Sequence, residues 1–145
     1  SAASDVYKRQ ADWRMVNRSI NPVALGIIAA QYFKAVGIYW YDGCAIVHTD
    51  TRDAKATWLC DAPRHYPSTT YLKFILPTIR RGCTGDANRA ATKMLQRLLG
   101  LTPDGIFGEG TENALLKAQK AHGLTVDGIC GPASWKAISG ASKYL

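Results

Sequence analysis

The groups best suited to chemistry stand together in the segment Val36-Gly-Ile-Tyr-Trp-Tyr-Asp-Gly-Cys-Ala-Ile-Val-His48-Thr-Asp50-Thr-Arg52, with Trp58 after it. Residues two apart on a strand point to the same side, so His48 and Asp50 would share one face. A neutral imidazole on such a face is a ready zinc ligand, although a lone strand histidine can equally be structural. A second pair of polar groups sits in a phrase written twice, Gly-Leu-Thr-Pro-Asp-Gly-Ile-Phe-Gly at 100–108 and Gly-Leu-Thr-Val-Asp-Gly-Ile-Cys-Gly at 123–131. Asp104 and Asp127 lie 23 residues apart, and Thr111 with Leu115 in the first unit matches Ser134 with Ile138 in the second. Such a repeat reports one structural unit used twice. Within it the Asp carboxylate can accept backbone N–H bonds while the following Gly supplies a tight or left-handed turn.

The elements that would position these groups divide into two halves. Asn21-Pro22 starts a helix, with Asn as N-cap and Pro at the first helical position, and apolar residues carry it through Phe33 to an end near Val36-Gly37. Gly37–Trp40 and Ala45–Asp50 alternate as strands around an Asp42-Gly43 turn, a hairpin. Between 61 and 77 the pattern loosens, with Pro63, Pro67, Pro77 and the run Ser68-Thr69-Thr70, which predicts a linker whose apolar patch at Tyr71–Leu76 could dock on a domain. Helical periodicity returns after Gly82. Ala87, Ala91, Met94, Leu95 and Leu98 share a face in a helix closed by Gly100. A second helix over Glu109–Ala121 turns Ala114, Leu115 and Ala118 inward and is closed by Gly123, and a third after Gly131-Pro132 turns Trp135 and Ile138 inward. The predicted class is α+β: a helix with a β-hairpin, then a small three-helix unit.

The chain has 145 residues, 47% of them apolar, enough for one ordinary domain or, as expected here, two very small ones. A net charge of +7 favours an anionic partner such as nucleic acid, anionic lipid or an acidic wall polymer. The basic residues are scattered, with Arg80-Arg81 the only tight doublet, which argues against nucleic acid. The best apolar run, Val23–Ala30, falls far short of the roughly 18 residues a membrane span needs, so no membrane insertion is expected. Residues 1–14 lack the apolar core of an export signal. Ser1-Ala-Ala3 looks like a tag remnant and Asp5-Val-Tyr-Lys-Arg-Gln10 resembles a translated adapter string, so residues 1–10 are expected to be foreign to the domain that follows. Cys44, Cys60, Cys83 and Cys130 form no C-x-x-C pair, which argues against a structural zinc cluster and leaves disulfides and buried thiols as alternatives.

The run Gly82-x-x-Gly85, Leu95-Gln96-x-x-Leu99-Gly100, Asp104-Gly-Ile-Phe-Gly108, Thr111, Ala114, Gln119, Gly123-Leu124, Asp127-Gly-Ile, Gly131-Pro132, Ser134-Trp135 and Ala137 resembles the three-helix peptidoglycan-binding domain of bacteria. The resemblance covers about Pro77–Ile138. It implies a non-catalytic module at the cell envelope or outside the cell, which anchors cell-wall hydrolases by holding a stem peptide or glycan in a shallow groove beside the loops. Asp104, Phe107 and Thr111 are the groups it would place in that groove, with Asp127 and Trp135 from the second unit. Arg97, like Arg80 and Arg81, could attract acidic stem peptides or lie on a solvated basic face.

The His48 block, in turn, resembles the C-terminal part of zinc D,D-carboxypeptidases and endopeptidases that cut peptidoglycan stem peptides. The resemblance makes His48 the distal zinc ligand and Asp12, after Ala11, the end of the first ligand motif. The first His ligand belongs seven residues before Asp12, where this chain has Asp5. Two ligands of three would not hold a catalytic zinc well, so zinc is expected in the intact parent enzyme but not stoichiometrically here, and this chain is expected to be inactive. His65 could in principle supply the third ligand. Asp50 is either the general base or the group that orients His48, and Arg52 either binds a substrate carboxylate or pairs with Asp50 or Asp53. The expected organisation is 1–10 foreign, 11–60 a fragment of the peptidase-like domain, 61–77 a linker and 78–145 the wall anchor, with self-association through an exposed sheet edge. A still-active zinc peptidase and a general polyanion binder are the alternatives.

Overall fold

Four strands form one mixed sheet in a computed structural model that describes residues 9–14, 19–69 and 74–145. They are β1 (Gln10–Arg14), β2 (Ala35–Tyr41), β3 (Cys44–Asp50) and β4 (Ala56–Cys60), in the order β1-β3-β2-β4. β2 and β3 are the expected hairpin, with Tyr41 opposite Cys44 and Gly37 opposite His48. β1 joins β3 antiparallel and β4 joins β2 parallel, so the hairpin forms the centre of a larger sheet. One sheet face carries Val36, Ile38, Val47 and Leu59, all fully buried, against Val23, Ala24 and Ile27 of helix α1 (Pro22–Ala29). Gly26 of α1 sits so close to the sheet that a Cβ there would lie 2.5 Å from Ile38 Cδ1.

α1 starts where expected. Asn21 Oδ1 accepts the Ala24 N–H at 2.9 Å, a cap worth about 1 kcal/mol. It ends at Ala29, not near Val36-Gly37. The β-branched and aromatic residues Val36, Ile38, Tyr39 and Trp40 gain more as the central strand, bonded on both sides, than as a helix extension. A continuous apolar run does not reveal that boundary by itself.

The C-terminal half holds α2 (Asp86–Leu98), α3 (Glu109–Ala121), α4 (Pro132–Ser139) and a short 3-10 turn, Ala141–Tyr144. Ala90, Ala91, Met94 and Leu95 of α2, Leu115 of α3 and Trp135 of α4 are fully buried and belong to the same apolar cluster as the sheet residues. Ala87, Leu98, Ala114, Ala118 and Ile138, expected to face inward, are half-buried.

The stretch expected as a linker is tied to both halves. Pro67 O accepts the Leu59 N–H and Thr69 N–H donates to Thr57 O, each at 3.1 Å, so residues 67–69 cover the outer edge of β4. Ile75 and Leu76 are buried in the shared core, and Pro77 O accepts the Trp135 indole N–H at 2.9 Å. Asp5 and Tyr71–Lys73, which figured in the sequence reading, lie outside the described residues.

Candidate functional site

Strand pairing sets Asp12 directly across from His48, and Asp12 Oδ1 lies 2.7 Å from His48 Nδ1. The other ring nitrogen, Nε2, faces Asp50 Oδ2 at 3.3 Å. On the next strand Gly37 pairs with both His48 and Trp58, and its missing side chain makes room for the Trp58 ring, which would stand 2.3 Å from a Cβ. The Trp58 ring centroid lies 5.5 Å from that of His48, and the Arg52 guanidinium sits over the Trp58 ring, 5.6 Å from its centroid. A cavity of about 700 Å³ beside this cluster is lined by Tyr39, Arg52, Lys55, Trp58, Tyr66 and Thr69.

Asp50 is buried and held by Arg52, whose Nε donates at 2.7 Å and backbone N–H at 3.1 Å, with Nη2 closing the fork. The Arg52 bonds outweigh the burial and hold the Asp50 carboxyl below the usual carboxylate range. A carboxylate so stabilised is a weak proton acceptor, which makes it a better orienting group for His48 than a general base. Arg52 thus forms an ion pair with Asp50.

For zinc, Asp12 and His48 offer two converging donors, and Asp50 stands where a carboxylate orients a metal-bound imidazole. A catalytic site needs three protein ligands, and among the described residues no group of three His, Cys, Asp or Glu is assembled. His65 does not join the pair: its Nδ1 meets Asp61 and its Nε2 meets Asp86 at 2.9 Å.

The repeated phrase folds twice into one hydrogen-bonded clasp. Gln96, 2% exposed, sends Nε2 to Asp104 Oδ1 at 2.8 Å and to Ile106 O and Thr111 Oγ1 at 3.1 Å, while its Oε1 accepts the Gly105 N–H at 3.0 Å. Gln119, 1% exposed, repeats this with Asp127 Oδ1 at 3.0 Å, Ile129 O at 3.0 Å, Ser134 Oγ at 3.1 Å and the Gly128 N–H at 3.0 Å. Asp104 and Asp127 each also accept the N–H two residues on, at 2.9 Å. Those backbone bonds first, and the Gln amide second, hold both carboxyls below their ordinary range. Gly105 and Gly128 take positive φ, 77° and 72°, to bring their N–H groups onto the Gln oxygen. Each preceding helix ends in the same way: Leu101 N–H reaches Gln96 O at 2.8 Å and Leu124 N–H reaches Gln119 O at 2.9 Å, past Gly100 and Gly123.

This geometry reassigns several expected ligand contacts. Phe107, Thr111 and Trp135 are 3%, 5% and 0% exposed; they fill the core or close the clasp and present almost no surface to a ligand. Asp104 and Asp127 reach the surface, but their first duty is to shape the loops. Beside them the loops present two large apolar side chains, Ile106 and Val126, 63% and 51% exposed. A groove of about 450 Å³ beside the second loop is lined by Leu124, Thr125, Asp127, Pro132 and Ala133. Arg97 is not on an open basic face; its side chain is only 22% exposed and its Nη2 donates to Asp42 at 3.0 Å. Gln96 and Gln119 were given no role in the sequence reading, although both stand eight residues before an Asp of the repeat, a spacing that could have singled them out. All four cysteines are free thiols, and burial pushes Cys60 and Cys130 up, away from reactive thiolate.

Residues 84–138 match the family model of a peptidoglycan binding domain, and this segment contains both clasps and all of α2 and α3. No curated protein and no solved structure matches the chain. The helical segment thus carries the signature of a peptidoglycan-binding domain over residues 84–138. No helix among the described residues is long and apolar enough to cross a membrane.

Proposed function

We propose that this chain is the wall-holding part of a bacterial cell-wall hydrolase, with residues 78–145 as the anchor and the sheet half, 11–60, derived from a zinc D,D-peptidase. The family match over 84–138, coincident with the two clasped loops, carries the anchoring reading. The exposed loop residues and the groove at Leu124, Thr125 and Ala133 offer a shallow surface suited to a stem peptide and its glycan. Co-sedimentation of the full chain with purified sacculi, with chitin as the peptide-free control, tests this. Pelleting with sacculi alone is expected, weakened by Ala133→Arg at the exposed groove wall; no pelleting, or equal retention on DNA with a steep salt dependence, would favour the polyanion alternative.

The Asp12–His48 approach across β1 and β3 supports the peptidase ancestry of the sheet. Two donors do not make a catalytic zinc site, so the chain is read as lacking peptidase activity. Metal analysis after equilibration with zinc discriminates the readings. Stoichiometric zinc that disappears in His48→Ala, together with release of alanine from stem peptides, would establish an active enzyme instead. Wall binding by a metal-free chain would leave the anchor alone.

A further inference from the structure

A cavity of about 500 Å³ lies apart from both sites, between the β2–β3 turn, the start of α1 and the last turn of α2. Arg14, Trp40, Tyr41, Asp42 and Arg97 are among its walls. Arg97 is the anomaly. Its Nε is buried and has no hydrogen-bond partner, the one side-chain nitrogen or oxygen in that state among the described residues. A buried charged donor left unsatisfied is unfavourable, and native structures rarely keep one without a use.

The guanidinium edge formed by Nε and Nη2 fits the two oxygens of a carboxylate. Here Asp42 meets only Nη2, through one oxygen at 3.0 Å, and its own side chain is 99% exposed on the turn. Asp42 therefore holds half of the fork from outside and gives the Nε proton nothing. The remaining walls suit the rest of an anionic peptide. Trp40 supplies a half-buried apolar surface, Arg14 a second cation, and Tyr41 a phenol that its hydrogen bond with Cys44 keeps protonated, pushed up to about 12.

We propose that this cavity binds the free carboxylate of a peptide on the Nε–Nη2 edge of Arg97, with Asp42 as a placeholder that the ligand displaces. The inference rests on the wall-binding reading for its source of such peptides, since stem peptides carry free carboxylates. It differs from that reading in location, because the cavity lies between the sheet and α2 and not at the repeated loops.

Calorimetric titration of the full chain with N-acetyl-D-alanyl-D-alanine, its C-terminal amide and inorganic phosphate tests the proposal. The acid should bind at least about tenfold more tightly than the amide, and more tightly than phosphate. Arg97→Lys, which keeps the charge but loses the fork, should weaken the acid about tenfold, and Asp42→Asn should tighten it. Asp42 is fully exposed, so the second variant reads out binding even if the first unfolds. Equal binding of acid and amide, no binding of the acid, preference for phosphate, or indifference to Asp42→Asn would each overturn the proposal. Sacculus pelleting separates the two ideas: a chain that pellets but ignores the acid sinks the cavity alone, whereas failure to pellet sinks the wall reading.

Discussion

Gln96 and Gln119 each use one buried amide to join a helix end, an Asp turn and the hydroxyl of the following helix. Truncating either leaves backbone N–H and C=O groups and a carboxylate without their buried partner, at a cost of about 3 kcal/mol. Gln119→Ala should show this as a shift of the urea midpoint with an unchanged slope. The two aspartates add a dependence on acidity. Their carboxyls are held below the ordinary value when folded, so their contribution is present above about pH 4 and is lost as pH falls through the lowered values. Replacing both by Asn keeps an acceptor oxygen and removes the titration. Acid unfolding curves of that double variant should be flatter than those of the parent below about pH 4. Much of this was legible, because a phrase repeated at a fixed spacing announces its own turn chemistry. The glutamines were not, since a Gln in a helix reads as surface until its burial is seen. The same blindness to burial placed Phe107 in a binding groove when its size had been used for the core, whereas Trp135 takes the inward position that the helical pattern gave it.

At the scale of elements, α2 is held to the sheet by polar contacts at both ends. Buried Asp61, just after β4, receives Lys93 from the middle of the helix at 2.8 Å and meets His65, whose other nitrogen faces Asp86 in the first turn. Burial raises the Asp61 carboxyl, and the bonds from Lys93 and His65 outweigh it, leaving the value lowered. His65 is raised, chiefly by its bond to Asp61. Its share of stability is therefore complete below the ordinary histidine value and lost as pH rises through the raised one. His65→Gln should accordingly be more destabilising near about pH 6 than near about pH 9, measured by urea unfolding at each pH. The sequence concealed this clasp, because Asp61, His65 and Asp86 come from a stretch dominated by turn residues and from a separate helix. It concealed β4 for a related reason: a five-residue strand whose identity comes from its parallel partner β2 carries too short a pattern to be recognised alone.

The whole molecule shares one apolar core, in which Val23, Ile38 and Leu59 join Ile75, Met94, Leu115 and Trp135. Unfolding the sheet would strip cover from the helices and the reverse, so the two halves should melt together. Far-UV circular dichroism and tryptophan fluorescence are expected to give coincident urea transitions; two separated steps would show that the halves stand independently. The two-part organisation visible in the sequence describes the sequence signatures of the halves, and the packing adds a joint between them that no local pattern could disclose.

The contact between Asn21 and Ser139 gives the chain an unusual closure. The amide that caps α1 also donates to the carbonyl of Ser139 at the end of α4, at 2.8 Å, so the first helix and the last are stitched together. The chain between them runs in a loop whose two ends meet. A single proteolytic cut at exposed Arg64, in that loop, would therefore leave two fragments gripping each other like a broken ring that has not come apart. The nicked protein should elute with the intact one until denaturant separates the pieces.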